Sequence, residues 1–163
     1  YGCTGLTKIT IPENVTSIGN DAFYNCTYVT ELNYNVTTGL NFSSSMQVFG
    51  NIGKYTSGTT VTFGSGVTTV PDCMFFPFSN ETYNVSKVIF LGNNVTRIGE
   101  KAFYSCSYLD YVKIPESVTS IGTGAFVISP IANVIVPCKW YEKPLYTFGY
   151  KKNRIFNIKK VIF

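Results

Sequence analysis

The side chains here that could do chemistry are thiols, carboxylates and amines, because the chain contains no histidine. The commonest general base and metal ligand is therefore missing. The five cysteines, Cys3, Cys26, Cys73, Cys106 and Cys138, show no Cys-x-x-Cys spacing, and the nine acidic residues are scattered along the chain. Two carboxylates brought together by folding could cleave a glycosidic bond, but no pattern singles out such a pair. No nucleophile has a base beside it, and no glycine-rich loop is placed to cradle a phosphate. These residue types point to no enzymatic activity, no metal and no cofactor. What remains is recognition. Of the 13 basic residues, seven lie beyond residue 138, among them Lys139, Lys143, Lys151, Lys152 and Arg154, opposed there only by Glu142. Such a cluster suits an anionic partner such as a sulfated or sialylated glycan. It equally suits a solvated end that keeps a sheet edge soluble. Trp140, Tyr141, Tyr146 and Tyr150 share this region and could stack on sugar or on one another.

A repeated phrase must position these groups. It runs Leu6-x-x-Ile9-x-Ile11-Pro12-x-x-Val15-x-x-Ile18-Gly19-x-x-Ala22-Phe23-x-x-Cys26. It returns as Val85-x-x-Val88-x-Phe90 followed by Val95-x-x-Ile98-Gly99-x-x-Ala102-Phe103-x-x-Cys106. It returns again from Leu109 to Phe126. Weaker copies place Phe49, Phe75 and Phe148 in the slot of Phe23, and Leu32, Val61, Val134 and Val161 in the slot of Ile9. A unit this short cannot bury its apolar face alone, so stacked copies must share a core. The alternating segment around Ile9 predicts a half-buried strand, ended by Pro, which cannot donate to a ladder. The Val-x-x-Ile-Gly segment suits a turn or short extended crossing, its Gly relieving a bend, with positive φ as one means. Ala-Phe-x-x-Cys is too short for an independent helix and suggests one helical turn. Seven strands should then form one parallel, curved sheet. Residues 37–47 should project as a loop, and Gly53–Gly58 reads as turn chemistry.

In such a stack, alternate strand residues face away from the core. One outward column is Thr10, Asn33, Thr62, Ile89, Lys113, Ile135 and Ile162. Its neighbour is Lys8, Glu31, Thr60, Lys87, Tyr111, Asn133 and Lys160. Apolar residues interleaved with Tyr and Lys make Lys87, Ile89, Tyr111, Lys113 and Ile135 a candidate ligand-binding face. The alternative is ordinary β-branched filling of a sheet surface.

The phrase resembles the BspA-like, or Treponema-type, leucine-rich repeat. The resemblance is strong at residues 3–32 and 85–126 and weak at 36–80 and 137–158. It implies an α/β-type repeat solenoid: a right-handed coil of six to seven units, a parallel sheet on the concave face, and short helical turns or irregular coil on the convex side. It also implies an extracellular or cell-surface protein that adheres to extracellular matrix or a host surface protein or glycoprotein, with no catalytic residues to carry over. Nucleic acid is not an expected partner. The runner-up is a structural spacer that presents another domain and binds nothing itself. A third reading places all chemistry in an attached hydrolase.

Composition agrees with one domain over residues 1–163. The apolar fraction is 45%, charged residues are 13%, and the formal net charge is +4. No apolar run approaches the roughly 18 residues of a membrane helix. Tyr1-Gly2-Cys3 aligns with Tyr24-Asn25-Cys26, and residues 157–163 mirror 84–90, so the chain is expected to be part of a longer protein. Cys3, Cys26 and Cys106 share one slot and read as small buried thiols. Cys73 and Cys138 lie about three repeats apart, which at roughly 4.8 Å per strand exceeds disulfide reach. Five free thiols are expected. Seven Asn-x-Ser/Thr sequons occur at Asn14, Asn25, Asn35, Asn41, Asn80, Asn84 and Asn94. In a secreted eukaryotic protein several could carry glycans, but the Asn and Thr of the repeated corner more simply serve turns.

Overall fold

The structure, a computed structural model, describes residues 1–37, 39–78, 81–131 and 133–137, and the backbone of Lys160–Ile162. Ten strands are described, and all their pairings are parallel: β1 (Lys8–Ile11), β2 (Glu31–Tyr34), β3 (Thr59–Phe63), β4 (Thr69–Val70), β5 (Val85–Phe90), β6 (Arg97–Ile98), β7 (Tyr111–Lys113), β8 (Ser120–Ile121), β9 (Asn133–Ile135) and β10 (Lys160–Ile162). Ile9, Leu32, Val61 and Val88 stand in register across β1-β2-β3-β5, and Val112, Val134 and Val161 across β7-β9-β10. These are the anchors that the spacing of the repeat selects.

The expected single sheet is interrupted: no ladder joins β5 to β7. The Val-x-x-Ile-Gly corner, meanwhile, is more ordered than a bare turn. It forms a second ladder, β4-β6-β8, two residues per strand. Threonine stitches this corner. Thr96 and Thr119 each donate both the backbone N–H and the side-chain hydroxyl to the carbonyl of the corresponding residue one turn earlier, Thr68 and Thr96.

No helix occurs among the described residues, which corrects the α/β and helical-turn expectation in favour of irregular coil. The reason is where the backbone donors point. The N–H groups of Phe23, Phe75 and Phe103 donate to the carbonyls of Val48, Ala102 and Ala125 in the following turn. A helix would send them back along the same segment. Two left-handed positions enforce this geometry. One precedes the Ala slot: Asp21, Cys73, Lys101 and Gly124, with φ of 57°, 54°, 52° and 69°. The other lies two residues after the Phe: Asn25, Asn51, Ser105 and Ile128, with φ of 59°, 61°, 61° and 62°. Where both occur, they leave three residues between them, less than the 3.6 of one helical turn.

Phenylalanine runs through the middle of the stack. The rings of Phe23, Phe49, Phe75, Phe103 and Phe126 follow one another at centroid separations of 5.6, 5.7, 5.8 and 5.3 Å. Around them lies one continuous cluster of buried apolar side chains from Ile9 to Val136. Residues 37–47 do not project as expected. Leu40 and Phe42 are buried, and the Phe42 ring meets Phe49 edge-on at 6.4 Å, so the insertion folds back onto the core. The 53–58 segment is a turn, with Gly53 and Gly58 at positive φ and their loop held by the Asn84 amide, which donates to the carbonyls of Gly53 and Thr56.

The glycine that follows each corner Ile is not needed for positive φ, because Gly19, Gly99 and Gly122 are absent from that region. It permits close approach between turns. A Cβ on Gly99 would lie 2.5 Å from the backbone of Pro71, and one on Gly122 would lie 2.3 Å from the Glu100 nitrogen. Gly19, on the outermost turn, would meet nothing within 4 Å.

Two stability predictions follow from this backbone. Gly99→Ala should destabilise by about 2 kcal/mol or more through forced overpacking, whereas Gly19→Ala should be neutral or gain about 0.5 kcal/mol. Chemical denaturation of both variants checks this, and equal effects would refute the close-approach role. Ile128 is a β-branched residue held left-handed and 39% exposed. That conformation costs an L-residue about 1–2 kcal/mol and is easier for Asn, so Ile128→Asn should raise the unfolding free energy by about 1 kcal/mol.

Candidate functional site

β5 departs from the regular repeat at both ends. Its pairing with β3 carries a bulge between Thr59 and Thr60, which leaves Ser86 extra. Beyond it, Phe90 and Val95 are five residues apart, where Ile11 and Val15, Phe63 and Val67, and Ile114 and Val118 are each four apart. The additional residue falls in the corner Leu91-Gly92-Asn93-Asn94, where Leu91 is 64% exposed. The ladder stops beside this unit. On the opposite side, β4-β6-β8 passes the same level unbroken. The stack is thus tight at one corner and open at the β5–β7 seam.

A cleft of about 380 Å³ lies over the seam. Lys87, Ile89 and Phe90 line it from β5, and Tyr111 and Lys113 from β7. Gly92, Asn93, Pro115 and Glu116 close its corner end. Four of the five candidate face residues therefore meet in one place. The fifth, Ile135, stands opposite Lys113 on β9 and does not line the cleft. Ile89 and Ile135 are half-buried, less exposed than the column reading expects, while Lys87, Lys113 and Tyr111 are exposed, Tyr111 by 39%. The Phe90 ring stacks on Phe63 at 5.1 Å and forms part of the apolar floor. Reasoning from the columns missed the contribution of the corner, although the one-residue difference in spacing is visible in the sequence.

The charges on this face are unevenly compensated. Lys8 pairs with Glu31 across β1 and β2 at 2.9 Å. Lys101 pairs with Glu100 at 3.2 Å and lies 5.2 Å over the Phe76 ring. Arg97 pairs with Asp72, which also accepts a hydrogen bond from the Glu100 N–H. Among the described residues, no carboxylate forms an ion pair with Lys87 or Lys113. The other basic candidates, Lys139, Lys143, Lys151, Lys152 and Arg154, lie outside the described residues, as do Trp140, Tyr141, Tyr146 and Tyr150.

The thiols offer little reactivity. Cys3, Cys26, Cys73 and Cys106 are free, and Cys138 lies outside the described residues. Cys26 and Cys106 are buried as expected, but Cys3, on the outermost turn, is exposed. Burial pushes the Cys26, Cys73 and Cys106 thiols above their ordinary value, which disfavours the nucleophilic thiolate. In the next copy Ser129 takes the cysteine slot, donating to the Phe103 carbonyl and accepting from the Cys106 N–H. Among the described residues, no cluster of three or more His, Cys, Asp or Glu could hold a metal, and no helix is long and apolar enough to cross a membrane. Of the sequons, Asn84 is buried and donates twice to backbone, and Asn94 donates to the Ser65 carbonyl, which fits the turn role. Asn14 and Asn41 are exposed, and Asn80 lies outside the described residues.

The family model of the BspA type leucine rich repeat region matches six copies, over residues 1–76 and 40–155. Among solved structures, the chain is similar to a leucine rich cell surface protein from Faecalibacterium prausnitzii A2-165. The identity is 28% and the TM-score 0.47, over 79% of this chain and 38% of that one. It is also similar to the leucine rich repeat protein of T. pallidum, at 17% identity and a TM-score of 0.46, over 80% of this chain and 59% of that one. The chain thus spans less than two thirds of the length of either. No curated protein sequence matches it.

The buried acids carry a pH prediction. A thiol or phenol is neutral when protonated, so a folded-state pKa above the unfolded one means the fold prefers the protonated form. That stability is complete below the unfolded value and is lost as pH rises past it. Cys26, Cys73 and Cys106 start from about 9, and Tyr34 and Tyr83 from about 10, all raised chiefly by burial. The melting temperature should therefore fall from about pH 9 upward, and Cys106→Ala should show a shallower fall between pH 9 and 11. An identical slope in both proteins would refute the assignment.

Proposed function

The chain belongs to the BspA-type leucine-rich repeat family, and we propose that it is a non-enzymatic recognition module of a cell-surface or secreted protein. It adheres to an extracellular matrix or host surface protein or glycoprotein through the solvent-facing side of its strands. One observation carries this reading: Ile89 and Tyr111, which break the polar character of that side, gather with Lys87 and Lys113 at a cleft where the sheet is open. A cleft of mainly apolar lining with a few converging polar groups is the usual form of a binding site, and Tyr beside apolar residues is frequent at the centre of interfaces. Extended repeat arrays use their strand or helix faces in this way because neighbouring units present a broad, stiff surface. Family membership supports the absence of catalysis and the surface location.

The test is binding of the folded chain to immobilised fibronectin, fibrinogen and heparin at physiological and raised salt. Saturable binding to a protein ligand is expected. Ile89→Ala and Lys113→Ala should each weaken it by about 1 kcal/mol or more, the scale of an interface hot spot, while Thr10→Ala leaves it unchanged. Absence of binding to all three ligands would favour the spacer reading, and protein binding indifferent to Ile89→Ala and Lys113→Ala would overturn the cleft as its site. Binding to heparin alone, abolished by salt, would move the site to the basic residues beyond 138.

A further inference from the structure

We propose that the β5–β7 cleft is a receptor for an acidic segment of a protein, in which carboxylates flank an apolar side chain, with Lys87 and Lys113 holding the carboxylates. This deepens, and rests on, the recognition reading above.

In the repeat, Lys87 of β5 takes the position of Tyr111 of β7, and Ile89 that of Lys113, one residue before and one after the anchors Val88 and Val112. The lysines therefore sit on different strands and at different repeat positions, with Ile89 and Tyr111 at the other two. Both ammonium groups are exposed and neither is paired with a described carboxylate, whereas Lys8, in the equivalent position of Lys87 on β1, is neutralised by Glu31. The single acid of the cleft, Glu116, lies at its corner end beside Pro115 and Asn93. Two cations that form no ion pair among the described residues are a complement for two carboxylates.

Between the lysines the surface is apolar and aromatic, made by Ile89, Phe90, Val88 and Tyr111. A sugar would require several fixed donors and acceptors around its hydroxyls, and among the described residues the cleft's amide and carboxylate, Asn93 and Glu116, both lie at its corner end. An aliphatic or aromatic side chain between two acids matches the lining better. The volume of about 380 Å³ accommodates a few side chains.

β5 and β7 still lie side by side within 8 Å. A strand inserted between them would need roughly 9.6 Å, twice the spacing of paired strands. The ligand therefore lies on the face and is held by its side chains, not by insertion into the sheet, so its side-chain charge should dominate selectivity.

Fluorescence anisotropy with labelled peptides tests this on the whole chain. The probe is Ser-Glu-Glu-Leu-Glu-Glu-Ser. Two control peptides replace every Glu by Gln or the Leu by Gly, and a heparin disaccharide serves as a glycan competitor. The acidic leucine peptide should bind, and both control peptides should bind at least about tenfold more weakly, as expected when a principal contact is lost. Affinity should fall with salt. Lys87→Glu/Lys113→Glu should abolish binding, Lys87→Gln/Lys113→Gln should weaken it, and Lys54→Glu, in the 53–58 turn, should leave it intact. All three lysine positions changed here carry exposed side chains, and unchanged melting temperatures establish that each variant is folded. Equal affinity for the Glu and Gln peptides, or undiminished binding by the charge-reversed variant, would overturn the proposal. So would binding of the disaccharide, but not of the peptide, through Lys87 and Lys113. If the peptides fail while adhesion still depends on Ile89 and Lys113, only the ligand chemistry is wrong. If adhesion is indifferent to those residues as well, the recognition reading falls with it.

Discussion

The stacking of one turn on the next along the phenylalanine column is the interaction on which the rest depends. Each ring is too large to be covered by the twenty-odd residues of its own unit and is covered instead by the rings above and below, at 5.3–5.8 Å. That separation is close to the spacing of hydrogen-bonded strands, so ring stacking and both strand ladders can share one pitch. The backbone follows the same demand. Its donors at the Ala-Phe segment reach across to the next turn and do not close a helix, and the two left-handed positions aim them there. Stability in such an arrangement is largely nearest-neighbour in origin, which is why the same small substitution differs in effect between an outer and an inner turn.

Corner glycines and corner threonines set the tolerance of the stack. Gly99 and Gly122 bring consecutive backbones so close that a methyl group has no room. Thr96 and Thr119 lock the same corner with paired backbone and side-chain donors. An extra residue cannot be absorbed at this corner. In the unit from Val85 to Val95 it is absorbed at the opposite one, beside Gly92, and the neighbouring ladder opens there. The insertion at 37–47, in contrast, adds apolar residues along with its polar ones, and Leu40 and Phe42 return it to the core.

The opening changes what the surface can do. A closed sheet presents alternate side chains on a flat surface, where Lys and Glu in adjacent strands cancel, as Lys8 and Glu31 do. At the seam the side chains border a depression, the apolar stems of β5 are partly uncovered, and two lysines form no ion pair with any described carboxylate. The proposed recognition site thus lies at a local interruption of an otherwise regular ladder, where the surface gains shape.

The chain's recurring residues determined much by themselves. The positions of Ile9, Leu32, Val61, Val88, Val112, Val134 and Val161 specify strand after strand in register, and the Phe slots specify the spine, because a short unit with an apolar face has no way to bury it except against its own copies. The residues Lys87, Ile89, Tyr111 and Lys113 are legible as one outward face for the same reason. Less legible were the absence of a helical turn, the inward fold of residues 37–47 and the role of Gly99. Each depends on which neighbouring backbone a group meets, not on the pattern of its own segment. The cleft belongs to this second kind. The additional residue between Phe90 and Val95 that accompanies it is written in the sequence, but whether two strands close their ladder or part is decided by the fit of unequal units through space, and only the tertiary structure holds both units at once.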